Sequence, residues 1–173
     1  MDRKKFLVQM SGATAALMLM NTNVPGQTSQ TNQLQETPPL PMDLVKDFVI
    51  AGHGNSPRVQ AMLKDNPNLI YAKFDWGNGD FEAAIEGAGH VGDKEIANYL
   101  IDQGSRVTLY VLTMLGRTEL VKPVLEAYPS LINAKGPHGF TLLHHAKAGG
   151  KDGEELYAYL LEKGVKDDRV KLR

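Results

Sequence analysis

Histidine is the side chain of this sequence with the widest chemical use, and five histidines are distributed along its 173 residues. Imidazole exchanges protons near neutral pH and is a common ligand of transition metals. His144 and His145 are adjacent in the sequence, but neighbouring residues on a helix point about 100° apart. Paired helical metal ligands are three or four residues apart, as in H-E-x-x-H, and that motif does not occur. The adjacent pair is therefore predicted to have a structural role.

Other catalytic and metal-binding patterns are missing from the sequence. It contains no cysteine, which excludes disulfides, thiolate nucleophiles and cysteine–zinc sites. There is no G-x-S-x-G motif, no phosphate loop and no dinucleotide fingerprint. Asp75, Asn78 and Asp80 share a glycine-rich segment but lack the spacing and the distal glutamate of a calcium loop. We therefore expect a protein that is not an enzyme and has no cofactor, no catalytic residue and no dedicated metal site.

The charge balance argues against a nucleic-acid partner. The chain carries 19 basic and 20 acidic side chains. This near-neutral balance produces no long-range field that would attract phosphate groups. No run of Lys and Arg marks a phosphate-binding stripe either. We expect the partner to be another protein, bound by a monomer.

The N-terminal residues have the composition of a targeting segment followed by a linker. A short basic stretch precedes an apolar run at 10–20, which is too short to span a bilayer and has the length of a signal-peptide core. The segment DRKKFL resembles a twin-arginine export motif with Lys4 replacing the second arginine, so the export route stays open. We predict a signal peptide at 1–26, a flexible linker at 27–41, no transmembrane anchor after processing, and export to the periplasm or the cell exterior. A buried first helix is the alternative interpretation of the apolar run.

The elements that would position the histidines repeat along the chain. The segment GNSPRVQAMLKDNPNLIYAK, from Gly54, aligns without a gap with GRTELVKPVLEAYPSLINAK, from Gly116. Two further segments have the same outline of small residues, a glycine and an apolar helix. The second helix of each unit has apolar residues at i, i+3 and i+4, which predicts one buried stripe per helix. Gly104 and Gly164 stand where a helix ends in a left-handed turn. Four helix–turn–helix units are therefore predicted.

These units resemble the ankyrin repeat, whose pattern is G-x-T-P-L-H-x-A-A-x-x-G-H-x-E-I-V-x-x-L-L-x-x-G-A. The last unit matches at Gly139, Thr141, Leu143, His144, Ala146, Leu160, Leu161 and Gly164. The second matches at Ile85, Ala88, Gly92, Glu95, Ile96, Leu100 and Gly104. The residues assigned to the structural motif are Gly54, Gly92, Gly104, Gly116, Gly139, Thr141, Leu143, His144 and Gly164. The chain also resembles a recurring subgroup of exported bacterial ankyrin proteins.

The resemblance implies an all-α fold, an ankyrin-repeat α-solenoid of about four units at 42–168, with short β-hairpin fingers. It also implies that the His144 side chain hydrogen-bonds backbone at the junction of neighbouring units. The 24-residue spacing of Glu95 and Glu119, short of the usual repeat, implies that the finger between units two and three is missing. The segment from Lys73 to Phe81 is longer than expected, which implies that the first finger, around Trp76, is enlarged.

Ankyrin proteins bind partners through finger tips and a concave groove, so the resemblance implies a scaffold for protein–protein interaction. The residues assigned to partner binding are His53, Asp75, Trp76, Asp80, His90, Val91, Met114, Leu115, His138 and Phe140. Met114 and Leu115 are expected to supply exposed apolar area. Trp76 is either an interface anchor or a side chain folded back on the helices.

His53 and His90 come from neighbouring units, so their rings are expected near one another in the groove. Their role stays open between solvated surface residues and a pH-sensitive or metal-binding contact. A small metal- or ligand-binding accessory protein using the His53/His90 groove is therefore the alternative function.

Overall fold

The computed structural model of the protein describes residues 38–172. The predicted signal peptide at 1–26 and most of the predicted linker, at 27–37, lie outside the described residues. Residues 38–172 belong to one unit of contacts. None of the helices in this part of the chain combines the length and the apolar character needed to cross a bilayer.

Eight α-helices follow one another as four pairs in the described residues. The pairs are α1 (Met42–Ala51) with α2 (Ser56–Asp65), α3 (Ala84–Val91) with α4 (Lys94–Asp102), α5 (Leu109–Met114) with α6 (Thr118–Ala127), and α7 (Leu142–Ala148) with α8 (Glu154–Glu162). Short 3-10 segments lie at Pro67–Tyr71, Pro129–Asn133, Pro137–Gly139 and Gly150–Gly153. The predominantly helical chain confirms the predicted all-α class, while the ankyrin assignment stays a prediction.

Local sequence signals set the limits of several helices. The side chains of Asn55, Asp93 and Thr141 each accept a hydrogen bond from a backbone N–H of the helix that follows. Such caps satisfy amides that have no partner inside the helix. Gly104 and Gly164 adopt φ values of 90° and 88° after α4 and α8, which confirms the predicted left-handed turns. The sequence therefore indicated the ends of α4 and α8 correctly.

The first helices of the four pairs pack side by side. α1 contacts α3, α3 contacts α5, and α5 contacts α7, while α2 packs on α4 and α6 on α8. Apolar side chains from α1 to α5 form one core cluster, and a second includes residues of α6, α7 and α8. Each helix therefore buries its apolar stripe on a neighbouring pair.

A hairpin of two short strands, β1 (Phe74–Asp75) and β2 (Phe81–Glu82), stands between the first and second helix pairs. The strands are antiparallel, with Phe74 opposite Glu82. This hairpin lies where the ankyrin resemblance implies an enlarged first finger, while its assignment as an ankyrin finger stays a prediction. Residues 103–108 contain no strand, in agreement with the predicted loss of the next finger. The third connection forms the 3-10 turn Pro137–Gly139 rather than a strand pair.

Candidate metal centre

The hairpin carries a buried carboxylate toward the helices. Successive side chains of a strand point to opposite faces, and accordingly Phe81 is exposed whereas Glu82 is fully buried. An ionised carboxylate at such depth requires compensating charge, hydrogen bonds or a metal ion. Glu82 is therefore the residue around which the site is built.

Three histidines from separate parts of the chain surround Glu82. His53 follows the end of α1, His90 is the penultimate residue of α3, and His138 lies in the Pro137–Gly139 turn. One ring nitrogen of each histidine and one carboxylate oxygen of Glu82 all lie within 4.8 Å of one another. The structure thus brings together three residues that the sequence placed in the groove and on a finger.

The separations of the three histidines from Glu82 suit ligands of one ion. Oε1 of Glu82 is 3.3 Å from Nε2 of His53 and 3.2 Å from Nδ1 of His90. Oε2 of Glu82 is 3.3 Å from Nε2 of His138. Ligand atoms about 2.0–2.2 Å from a metal ion stand apart by a little more than 3 Å when they occupy neighbouring coordination positions. Neither Oε1 of Glu82 nor Nδ1 of His90 has a hydrogen-bond partner in the described residues.

The far nitrogens of two of these rings are held by hydrogen bonds. Nδ1 of His53 lies 3.0 Å from the backbone oxygen of Val49, and Nδ1 of His138 lies 2.8 Å from Oδ2 of Asp80. A carbonyl oxygen and an ionised carboxylate only accept, so both Nδ1 atoms donate. The Nε2 atoms that face Glu82 therefore carry either a lone pair or an additional proton. Histidine ligands of metals usually donate their other N–H to such acceptors.

His138 is held in an unusual backbone conformation. Its φ of 58° lies in the left-handed region, which costs an L-residue of this kind about 1–2 kcal/mol. The backbone N–H of His138 donates to Oδ1 of Asp80 at 2.8 Å, while its ring contacts Oδ2 of the same carboxylate. Asp80 thus fixes both the turn and the direction of the imidazole. Strained backbone of this type is concentrated at binding sites.

Trp76 points into the cluster. Its Nε1–H donates to Oε2 of Glu82 at 2.8 Å, and its ring meets Phe74 edge-on at 4.9 Å between centroids. The side chain is half-buried and packs against the core of the first helices, and its role as an interface anchor stays a prediction. The indole orients the carboxylate that the three histidines face.

The electrostatics of the cluster differ from one ring to the next. Burial lowers the pKa of His90 to about 4, so this ring is neutral at pH 7. The neighbouring carboxylate of Glu82 raises the pKa of His53. Burial alone would raise the pKa of Glu82, but the contact with His53 outweighs it, and the pKa of Glu82 lies below its ordinary value. The carboxylate is therefore ionised at pH 7.

His144 and His145 lie beside this cluster but do not enter it. Nε2 of His144 donates to the backbone oxygen of His90 at 2.8 Å, and the ring stacks on Phe140 with centroids 4.1 Å apart. Nδ1 of His145, which is fully buried, donates to the backbone oxygen of Thr141 at 2.7 Å. Both rings thus satisfy backbone carbonyls.

The remaining residues assigned to partner binding have different surroundings. Met114 is fully buried, so the expectation that it offers exposed apolar area is wrong. The end of α5 approaches Gly149 so closely that a Cβ there would collide with the backbone oxygen of Met114, which shows how tightly the last two helix pairs meet. Val91 is exposed, Leu115 is half-buried, and the side chain of Asp75 accepts from the N–H of Gly77.

Sequence reasoning did not identify Glu82. The available signal was a glutamate beside an exposed phenylalanine in a short strand, directly before the small residues that begin α3. Alternation in the strand places such a carboxylate toward the helices. No family model matches this sequence, and no curated protein matches it either.

Proposed function

We propose that the protein binds one divalent transition-metal ion through His53, Glu82, His90 and His138. The convergence of three imidazole nitrogens and one buried carboxylate oxygen within 4.8 Å carries this proposal. Imidazole suits zinc, copper, nickel and iron, whereas calcium and magnesium prefer all-oxygen sites. The ligand set therefore selects a first-row transition metal rather than a hard cation.

The unpartnered buried atoms of the cluster support a metal ion over a set of ion pairs. With Nδ1 of His53 and of His138 already donating, a proton on either Nε2 makes that ring cationic. Glu82 and Asp80 compensate two such rings, but these ion pairs leave Nδ1 of His90, a ring held neutral by burial, without a partner. A divalent cation accepts the lone pairs of the three rings and neutralises the carboxylate at the same time.

Metal titration of the full chain tests the proposal. Calorimetric titration with Zn²⁺, Ni²⁺, Co²⁺ and Cu²⁺ is expected to give one equivalent bound. Glu82→Gln and His90→Gln should remove this binding, because each deletes one ligand. His144→Gln is the matched control, since glutamine retains a donor for the oxygen of His90 and His144 is not a ligand. Wild-type binding no tighter than millimolar would exclude the metal function.

The second candidate is a protein-binding scaffold, as the ankyrin resemblance implies. Two exposed apolar side chains favour it: Phe81 on the hairpin, with 54% of its surface exposed, and Val91 at the end of α3, with 48%. A bound partner that covers these side chains would remove their apolar surface from water, which favours association. A pull-down with Phe81→Glu/Val91→Glu as bait should lose partners that wild type captures. The control is Leu161→Glu, because Leu161 in α8 has a similar exposed fraction of 47%. Unchanged capture of partners by the double variant would refute this surface.

The proposed architecture and location accompany both candidates. The four consecutive helix pairs, with first helices packed side by side, support an assignment to ankyrin-type units. The basic and apolar composition of 1–26 supports export. Mass spectrometry of the mature chain from the periplasm or medium tests this, since an intact N-terminus in the cytoplasm would contradict it.

A further inference from the structure

The cluster of His53, Glu82, His90 and His138 reaches the surface through two of its members. The side chains of His53 and His138 are 27% and 22% exposed, whereas those of Glu82 and His90 are 0% and 8% exposed. A cavity of about 240 Å³ lies against the exposed pair and is lined by Ile50, His53, Trp76 and His138. A second cavity, of about 490 Å³, touches only His138 among the four residues, so the cavity at Ile50 is the one that borders two of them.

The number of protein ligands leaves room for another. Structural zinc sites fill four tetrahedral positions with protein atoms, whereas catalytic sites keep a position open for water or substrate. Copper, nickel, iron and cobalt accept five or six ligands, and the four side chains here supply four. Because Glu82 and His90 are buried, a vacant position is accessible from the side of His53 and His138, where the cavity of about 240 Å³ lies.

We propose that the bound ion keeps an open coordination position toward this cavity and that the position takes a small monodentate ligand of two or three atoms. This inference rests on the proposed metal function. The cavity of about 240 Å³ is well above the space that a single water molecule needs, so it admits small molecules readily.

The lining determines the class of ligand. Ile50 and Trp76 present apolar surface, and the indole N–H of Trp76 is already bonded to Glu82. No Lys or Arg side chain belongs to the lining, so a phosphate ester or a polyanion finds no compensating charge there. A small molecule such as dioxygen or azide needs only the metal and the apolar wall.

Azide titration of the Co²⁺-loaded full chain tests the inference. Visible absorption first establishes that Co²⁺ is bound, because coordination by imidazole changes its ligand-field bands. Added azide is then expected to shift these bands with a saturable, one-site dependence. Ile50→Trp, which fills the cavity, should weaken azide binding about tenfold, equivalent to about 1.4 kcal/mol, while Co²⁺ content stays at one equivalent. Leu161 in α8 is exposed to a similar extent, so Leu161→Trp is the control and should leave azide binding unchanged.

The outcomes separate the two proposals. Bound Co²⁺ with a spectrum that azide leaves unchanged would overturn the open position and leave a closed structural metal site. A chain that fails to bind Co²⁺ would overturn the metal function and the open position together. Equal weakening of azide binding by Ile50→Trp and Leu161→Trp would remove the cavity from the proposal.

Discussion

The indole N–H of Trp76 and Oε2 of Glu82 are joined by a 2.8 Å hydrogen bond. This relationship places the single tryptophan of the chain next to an atom that the metal would also contact. An indole in this position is both a structural support for the carboxylate and an optical reporter of what the carboxylate binds.

Tryptophan fluorescence should therefore respond to metal. Co²⁺ or Cu²⁺ bound at the cluster is expected to quench the emission of Trp76 with a one-to-one end point, because both ions quench indoles over short distances. Fluorescence titration measures this directly. Glu82→Gln is the control, and equal quenching of that variant would show that the ions act elsewhere.

The hydrogen bond itself should contribute to metal affinity. Trp76→Phe preserves an aromatic wall but removes the donor to Glu82, and loss of such an outer hydrogen bond typically weakens metal binding about 10- to 100-fold. Competition with a chelator of known affinity measures the change. An unaltered affinity would mean that Glu82 is oriented without the indole.

Metal affinity should fall as the solution becomes more acidic. Glu82 raises the pKa of His53 from 6.5. As the pH falls, protons therefore begin to compete with the ion for Nε2 while the pH is still above 6.5. Each displaced proton reduces the apparent affinity by about tenfold per pH unit below the pKa of its group. Titrations at several pH values between about 5.5 and 8 measure the slope, and a flat profile would contradict ligation by His53.

Buried His145 should make folding sensitive to acid in the metal-free protein. Burial lowers its folded-state pKa from 6.5 to about 4, so the unfolded chain takes up a proton first as the pH falls. The associated stability is fully present above pH 6.5 and is lost progressively toward pH 4, by about 3 kcal/mol for this shift. His90 adds an effect of the same sign.

Urea unfolding at a series of pH values measures this loss. His145→Gln retains a donor for the oxygen of Thr141 and removes the titration, so its unfolding free energy should depend less on pH than that of wild type. The same pH dependence in both proteins would show that His145 is not responsible.

A glycine in α3 leaves space for the His53 ring. A Cβ on Gly87 would stand 2.7 Å from Cε1 of His53, so Gly87→Ala should displace that ring and weaken metal binding by at least about tenfold. Alanine also stabilises a helix by about 0.5–1 kcal/mol relative to glycine, so thermal stability should not fall in parallel. Gly89→Ala, whose Cβ would be 3.2 Å from Val111, is the matched control in the same helix. Equal metal affinity in both variants would contradict the assigned position of His53.

Local patterns anticipated most of the helical framework. Glycines at Gly104 and Gly164, the apolar stripes and the short spacing between units two and three each have a local physical cause, so they could be read from sequence. The neighbouring placement of His53 and His90 also followed from the repeat resemblance, and their rings lie 4.7 Å apart.

The remaining features depend on contacts between distant segments. Glu82 belongs to a two-residue strand whose inward direction is fixed by its pairing with Phe74, and His138 reaches the cluster through Asp80, 58 residues away in sequence. Met114 was wrongly expected at the surface because the close approach of α5 to Gly149 has no local signal. Such relationships arise from tertiary packing.

The three histidines belong to parts of the chain that are far from adjacent. His53 connects the helices of the first pair, and His138 precedes the fourth pair. In a row of helix pairs the two terminal pairs usually unfold independently, because each pair contacts mainly its neighbours. An ion held by both histidines links the two regions, because unfolding of either region breaks bonds to the same ion. The metal-loaded protein would then open in a single step, and its terminal helices would resist proteases as long as its central ones do.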